Sequence, residues 1–209
     1  MRIIRFEDDR GHVQFGLDDG VVNNGIAGGQ AELLEGDLYE GLKPSGKRGI
    51  VARLLAPVVP SNILCIGRNY VDHIEEFNNP LPEYPILFIK NNGSLTHPGV
   101  PIRLPKCQLK AHEVDYEGEL AAVIGKEALD VAEADALDYV LGFTVGNDVS
   151  ARHWQKQGGG GQWCRGKGFD TFCPLGPVLV TPDELGDPQR LHIQARLNGE
   201  IMQESNTSH

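Results

Sequence analysis

The chain has 209 residues, a formal net charge of −10, 40% apolar residues and only 7% aromatic ones. That length suits one good-sized domain, or a domain with a small appendage. The charge argues against nucleic acid as a partner, because a surface of that sign repels phosphate. With Gly 26 and Pro 13, the composition favours many short strands joined by turns over a helix bundle.

In chain order, Met1–Phe6 and His12–Leu17 read as strands separated by the turn Asp8-Asp9-Arg10-Gly11. A polar, Gly-rich stretch follows, with a weak helical piece around Ala31–Leu34. The apolar, Pro-punctuated segment Leu54–Pro60 reads as a connector, which divides the chain into a small antiparallel N-terminal lobe, 1–59, and a main domain, 60–209. In that domain Asn62–Ile66, Ile86–Lys90, Val100–Leu104, Val140–Val145 and Pro177–Thr181 are predicted strands, and Val71–Phe77 and Ala132–Tyr139 are predicted helices. Ser150 is a predicted N-cap for a helix through Gln155, after which Gly158–Gly161 opens a mobile loop to Thr171. Leu191–Leu197 and Ile201–Glu204 flank Asn198-Gly199, the strongest hairpin signal in the chain. The fold class is α+β, mostly β.

The four cysteines, Cys65, Cys107, Cys164 and Cys173, form no CxxC pair and read as free thiols. The N-terminus has no apolar signal region and no apolar run is long enough to span a membrane, so a cytoplasmic protein without a membrane partner is expected.

One stretch demands an explanation. From His112 to Gly125 the sequence is HEVDYEGELAAVIG, with Glu113, Asp115, Glu117 and Glu119 at alternate positions and the apolar run Leu120–Ile124 behind them. As a strand, this puts all the carboxylates on one face and runs into buried core. Two carboxylates at about 4 Å repel by about 4 kcal/mol at an effective dielectric near 20. Either water screens that repulsion at a solvated edge, or a divalent cation turns it into binding energy. Oxygen ligands of this kind favour Mg²⁺, Mn²⁺ or Ca²⁺ over Zn²⁺.

Other motifs are ambiguous by themselves. Gly161–Gly168 nearly fits a phosphate-binding loop, but Gly168 stands where the magnesium-binding hydroxyl belongs and no strand leads in, so a nucleotide site is rejected. Lys167 is a solvated lysine, or, facing a cavity, a holder of a carboxylate or enolate. His73 and Glu76, at i and i+3, are a helix-surface pair or a general base with its orienting carboxylate. Arg152 and Gln155 are an ordinary exposed pair or a carboxylate clamp.

Taken in order, the motifs Ile66-Gly-Arg-Asn-Tyr-Val-Asp-His73, Phe88-Ile-Lys90, Asp115-Tyr-Glu-Gly-Glu-Leu120, Asn147-Asp-Val-Ser-Ala-Arg152 and Gly166-Lys-Gly-Phe-Asp-Thr171 closely resemble the fumarylacetoacetate hydrolase family, over roughly Leu55–Ser208. The resemblance implies a mixed β-sandwich roll, usually homodimeric, preceded by a small N-terminal domain. It implies a Mg²⁺ or Mn²⁺ site on Glu117, Glu119 and Asp148, with Asp115 and Glu113 outside it. His73 with Glu76 would be the base dyad. Arg152, Gln155, Lys167 and Thr171 would bind a small 2-oxo acid, with Lys167 also stabilising an enolate. The first functional expectation is hydrolysis of a C–C bond in an acylpyruvate or fumarylpyruvate. The alternative is isomerisation or decarboxylation of 2-oxo or hydroxy-diene diacids, oxaloacetate included. Members of the family continue past the Asn-Thr-Ser matched at Asn206–Ser208. A metal-binding but inert remnant is therefore the alternative of another class.

Overall fold

Strand Arg2–Glu7 is buried on both faces and carries the architecture. Ile3 joins Leu34, Leu38, Leu42, Val58 and Leu179 on one side. Ile4 and Phe6 join Val21, Ala31, Val51 and Leu54 on the other. This is the period of two expected of a central strand. The computed structural model describes residues 1–23, 26–67, 69–70, 82–108 and 113–209. The predicted helix over Val71–Phe77 lies outside them.

One mostly β layer dominates: an eight-stranded sheet ordered Gly118–Ile124, Val140–Asn147, Val178–Val180, Arg2–Glu7, Val13–Leu17, Gln30–Asp37 and Gly41–Ile50, with Arg53–Leu55 also paired to Arg2–Glu7. The sheet therefore passes through both sides of the Leu54–Pro60 connector. Arg2–Ile4 pairs antiparallel with Val178–Val180. The connector itself is core, since Leu54 to Val58 are all buried.

Hairpin Ile63–Gly67/Ile86–Lys90 stands beside the sheet, with Cys65 opposite Phe88. Its alternation is strict: Cys65, Phe88 and Lys90 turn inward, whereas Leu64, Ile66, Leu87 and Ile89 are exposed. The second hairpin, His192–Leu197/Glu200–Asn206, forms as expected. Asn198 and Gly199 both have positive φ, +53° and +89°, the backbone a tight type I′ turn requires.

Several local expectations are corrected. Gln30–Asp37 is a strand, not a helical piece. A register shift between Glu32 and Leu34 breaks the period of two, so the inward residues Ala31 and Leu34 fall three apart and imitate a helix. Val100–Leu104 is irregular and mostly exposed; Pro98, Pro101 and Pro105 deny it ladder donors. Glu133–Tyr139 is a 3₁₀ rather than an α-helix. Ser150 caps nothing: Ser150–Ala151 is a short strand paired with Val114–Asp115, and a π-helical turn follows over Trp154–Gly158. The expected loop to Thr171 holds the short helix Trp163–Lys167.

Candidate active site

The acidic stretch is not one strand. Val114–Asp115 pairs with Ser150–Ala151, the chain breaks at Tyr116–Glu117, and Gly118–Ile124 then pairs with Val140–Asn147. The change of partner is held by Gln203 of the last hairpin, whose side chain accepts from Gly118 N–H at 2.9 Å and donates to Tyr116 C=O at 3.0 Å. Nor is Leu120–Ile124 buried core: it is the sheet's edge strand, and Ile124 is 55% exposed. The break serves the site. Glu117 C=O accepts from Asp148 N–H at 2.9 Å, and Glu117 N–H donates to Asn147 Oδ1 at 3.1 Å. Glu119, opposite Gly146 in the ladder, comes in beside them. One carboxylate oxygen each from Glu117, Glu119 and Asp148 lies within 4.8 Å of the other two. Glu113 is exposed.

Around these acids sit cations. Lys167, only 2% exposed, bridges Glu117 Oε2 at 2.8 Å and Asp148 Oδ2, with its Nζ 4.8 Å from the Phe88 ring centre. Lys90, 1% exposed, takes the other Asp148 oxygen at 2.6 Å. Arg152 reaches Glu117 Oε1 at 2.6 Å, Gln155 Oε1 at 3.0 Å and Asp115 Oδ2 at 2.7 Å. Burial would lower the Lys167 ammonium, but Asp148 and Glu117 outweigh it and raise it above its ordinary value. Burial would likewise raise Glu117, but Lys167 and Arg152 hold it low.

Glu119 is the exception. Among the described residues no ion pair reaches it, and burial, then Asp148 and Glu117, push its carboxyl up to about 8. With the proton on Glu119, Asp115, Glu117 and Asp148 balance Lys90, Arg152 and Lys167 one for one; ionising Glu119 leaves one negative charge over. A Glu119 carboxylate with no ion-pair partner among the described residues, beside other acids with oxygen lone pairs to offer, fits a hard divalent cation, whose charge would favour the ionised form. Thiol chemistry does not fit: burial and Asp148 push Cys65 up to about 12, and burial pushes Cys173 up to about 11. All four cysteines are free.

Local packing aims Lys167. Trp163 lies over Gly67, where a Cβ would come within 2.2 Å of the indole, and meets Phe88 edge-on at 5.4 Å. Gly166 backs onto the backbone of Gln155. Helix Trp163–Lys167 is thereby clamped between the hairpin and the π-turn, with Lys167 turned inward.

The structure therefore brings Glu117, Glu119, Asp148, Arg152, Gln155 and Lys167 together. Thr171 has a φ of +68°, and its hydroxyl accepts from Arg103 N–H at 2.7 Å and donates to Asp170 C=O. His73 and Glu76 lie outside the described residues. Lys90 and Asp115 went unassigned in the sequence. The sequence held no local signal for the first, a lysine at the end of an apolar strand; the i, i+2 spacing before Glu117 was the signal for the second.

Residues 62–209 match the family model "Fumarylacetoacetate (FAA) hydrolase C-terminal". The chain belongs to the fumarylacetoacetate hydrolase family. It is 53% identical over 156 residues to oxaloacetate tautomerase fahd2, mitochondrial, of Xenopus laevis, covering 74% of this chain and 48% of that one. Against the human oxaloacetate tautomerase FAHD2A, mitochondrial, it is 50% identical over 155 residues, with the same coverage of 74% and 48%. The chain thus spans about half the length of these relatives. The structure of a 2-hydroxyhepta-2,4-diene-1,7-dioate isomerase from Mycobacterium marinum superposes with a TM-score of 0.82 at 39% identity, covering 100% of this chain and 75% of that one. Among the described residues no helix is long and apolar enough to cross a membrane.

Proposed function

We propose that this chain carries the metal and substrate site of a tautomerase or isomerase acting on 2-oxo diacids of the oxaloacetate type. The observation that carries the reading is the Glu119 carboxyl beside Glu117 and Asp148, without an ion-pair partner among the described residues, with Lys167 and Arg152 paired to Glu117. The relatives' names support the choice of substrate class. Glu117, Glu119 and Asp148 would hold the cation, Mg²⁺ or Mn²⁺ in the first instance and Ca²⁺ as the third choice. Such a cation supplies Lewis acidity toward a 2-oxo carbonyl.

The protein's own groups divide the remaining work. Arg152 and Gln155 orient a substrate carboxylate. The Lys167 ammonium, kept charged by its carboxylates, stabilises the oxygen on which negative charge develops as a C–H proton next to the carbonyl leaves. Buried Lys90 orients Asp148 through its 2.6 Å hydrogen bond to Oδ1. His73, assisted by Glu76, is the proposed base that moves the proton between carbon and oxygen. A homodimer and a cytoplasmic setting belong to the same proposal, although the two curated relatives are named mitochondrial.

Product analysis with oxaloacetate, a hydroxy-diene diacid and acetylpyruvate in Mg²⁺ or Mn²⁺ tests the reading. Faster enol–keto exchange of oxaloacetate, or migration of the diene double bond, supports it. Acetate and pyruvate from acetylpyruvate would restore the hydrolase. No conversion of any of the three by folded, metal-responsive protein would favour the inert remnant.

A further inference from the structure

We infer that Asp115 is a positioning residue that acts through Arg152, fixing which edge of the guanidinium is offered to a substrate carboxylate. The inference rests on the tautomerase–isomerase reading above and deepens it.

The guanidinium has five N–H donors in a rigid fork. Asp115 Oδ2 takes Nε–H at 3.0 Å and one Nη2–H at 2.7 Å, which uses up the side of the fork. Nη1 donates to Gln155 Oε1 at 3.0 Å and pairs with Glu117 Oε1 at 2.6 Å. One Nη2–H has no partner among the described residues. Were Glu117 to serve a cation instead, the Nη1–H it now holds would be freed as well. The end of the fork, Nη1 with Nη2, is then what Arg152 has left, and that edge matches a carboxylate bidentately.

Asp115 is itself held for this task. Its other oxygen accepts Tyr116 N–H at 3.0 Å, its backbone is in register with Ser150, and Arg152 N–H donates to Glu113 C=O at 2.8 Å. The Asp115–Arg152 pair is partly open to water, with side chains 44% and 21% exposed, so its worth to stability is small. A large effect on substrate affinity with little effect on melting is therefore the mark of the positioning role.

The test compares Asp115→Asn and Asp115→Glu in wild type and in an Arg152→Met background. Asp115→Asn should raise KM for oxaloacetate about tenfold with kcat within about threefold, and Asp115→Glu should recover most of the loss. In the Arg152→Met background Asp115→Asn should change KM by less than about twofold, because its route of action is gone. An unchanged KM in Asp115→Asn, or an equal rise in both backgrounds, overturns the inference. A second arm titrates oxalate with Mn²⁺ by calorimetry and expects the same pattern in Kd. If wild type turns over no 2-oxo acid, the functional reading falls and the oxalate arm alone decides. Oxalate affinity indifferent to Asp115, or no oxalate binding by wild type, overturns the positioning role.

Discussion

Glu119 is the side chain on which the electrostatics of the site turn. In the absence of a cation its folded-state carboxyl sits at about 8 against 4.5 for the free group, through burial first and Asp148 and Glu117 next. Between those values the folded state keeps a proton that the unfolded chain has released, so stability falls as pH rises through the window. The melting temperature in chelator should accordingly drop from pH 5.5 to pH 8.5, and Glu119→Gln should flatten the slope. A wild-type profile as flat as the variant's would show that this carboxylate carries no burden. At pH 8, Mg²⁺ or Mn²⁺ at about a hundred times its Kd should add about 2.7 kcal/mol, or about 5–10 °C, in wild type and far less in Glu119→Gln. The acidic cluster was partly legible in the sequence: alternation and a run of like charge singled out Glu117 and Glu119, whereas Asp148 was reached only through the family resemblance. Lys90 was not legible, because a lysine ending an apolar strand looks solvated until its neighbours are known. It is buried only because the hairpin turns its inner face to Asp148.

Local signals predicted the elements well where one rule acted alone. Asn198-Gly199 fixed its hairpin, and the short apolar run Ile86–Lys90 formed the strand expected of it. They failed where a tertiary contact decided: the bulge after Glu32, the change of strand partner at Tyr116–Glu117, and the helix Trp163–Lys167 inside a Gly-rich stretch. That helix is held by close approach rather than by its own propensity, since its five residues are far too few to be stable alone. Gly166 is where the approach is tightest. A Cβ there would stand 2.5 Å from Gln155 N and 2.8 Å from its Cα, and backbone cannot swing aside as a side chain can. Gly166→Ala should therefore lift the helix off the π-turn and carry Lys167 from Glu117 and Asp148. Overpacking of this kind costs about 1–3 kcal/mol, a fall of about 3–10 °C in melting temperature. Turnover of oxaloacetate should fall at least about tenfold, the equivalent of one lost charge-assisted hydrogen bond. Calorimetry with steady-state kinetics checks both, and wild-type turnover in Gly166→Ala would mean that Lys167 is aimed by something else.

At the scale of the whole molecule, the question is whether the N-terminal lobe is an appendage or part of the frame. The sequence suggested a boundary near Pro60, where prolines punctuate an apolar run. The sheet instead joins Arg2–Ile4 to Val178–Val180, which in turn pairs with Val140–Asn147, the strand leading to Asp148. Leu179 is fully buried against Ile3, Leu34, Leu38, Leu42 and Val58, all of them in residues 1–59. Removing that segment would strip Val178, Leu179 and Val180 of their cover, a loss of roughly 5–9 kcal/mol at about 1.5–3 kcal/mol for each side chain. That is comparable with the entire net stability of an ordinary domain, about 5–15 kcal/mol. It would also leave a strand edge unpaired in the middle of the sheet, an invitation to association. A chain comprising residues 60–209 should therefore lack a cooperative thermal transition, bind a hydrophobic dye, and show no shift in melting on adding Mn²⁺. The full chain should do the opposite in all three measurements. A sharp, metal-responsive transition in the 60–209 chain would establish that the lobe is separable, and that the strand pair Arg2–Ile4 with Val178–Val180 contributes contact without support.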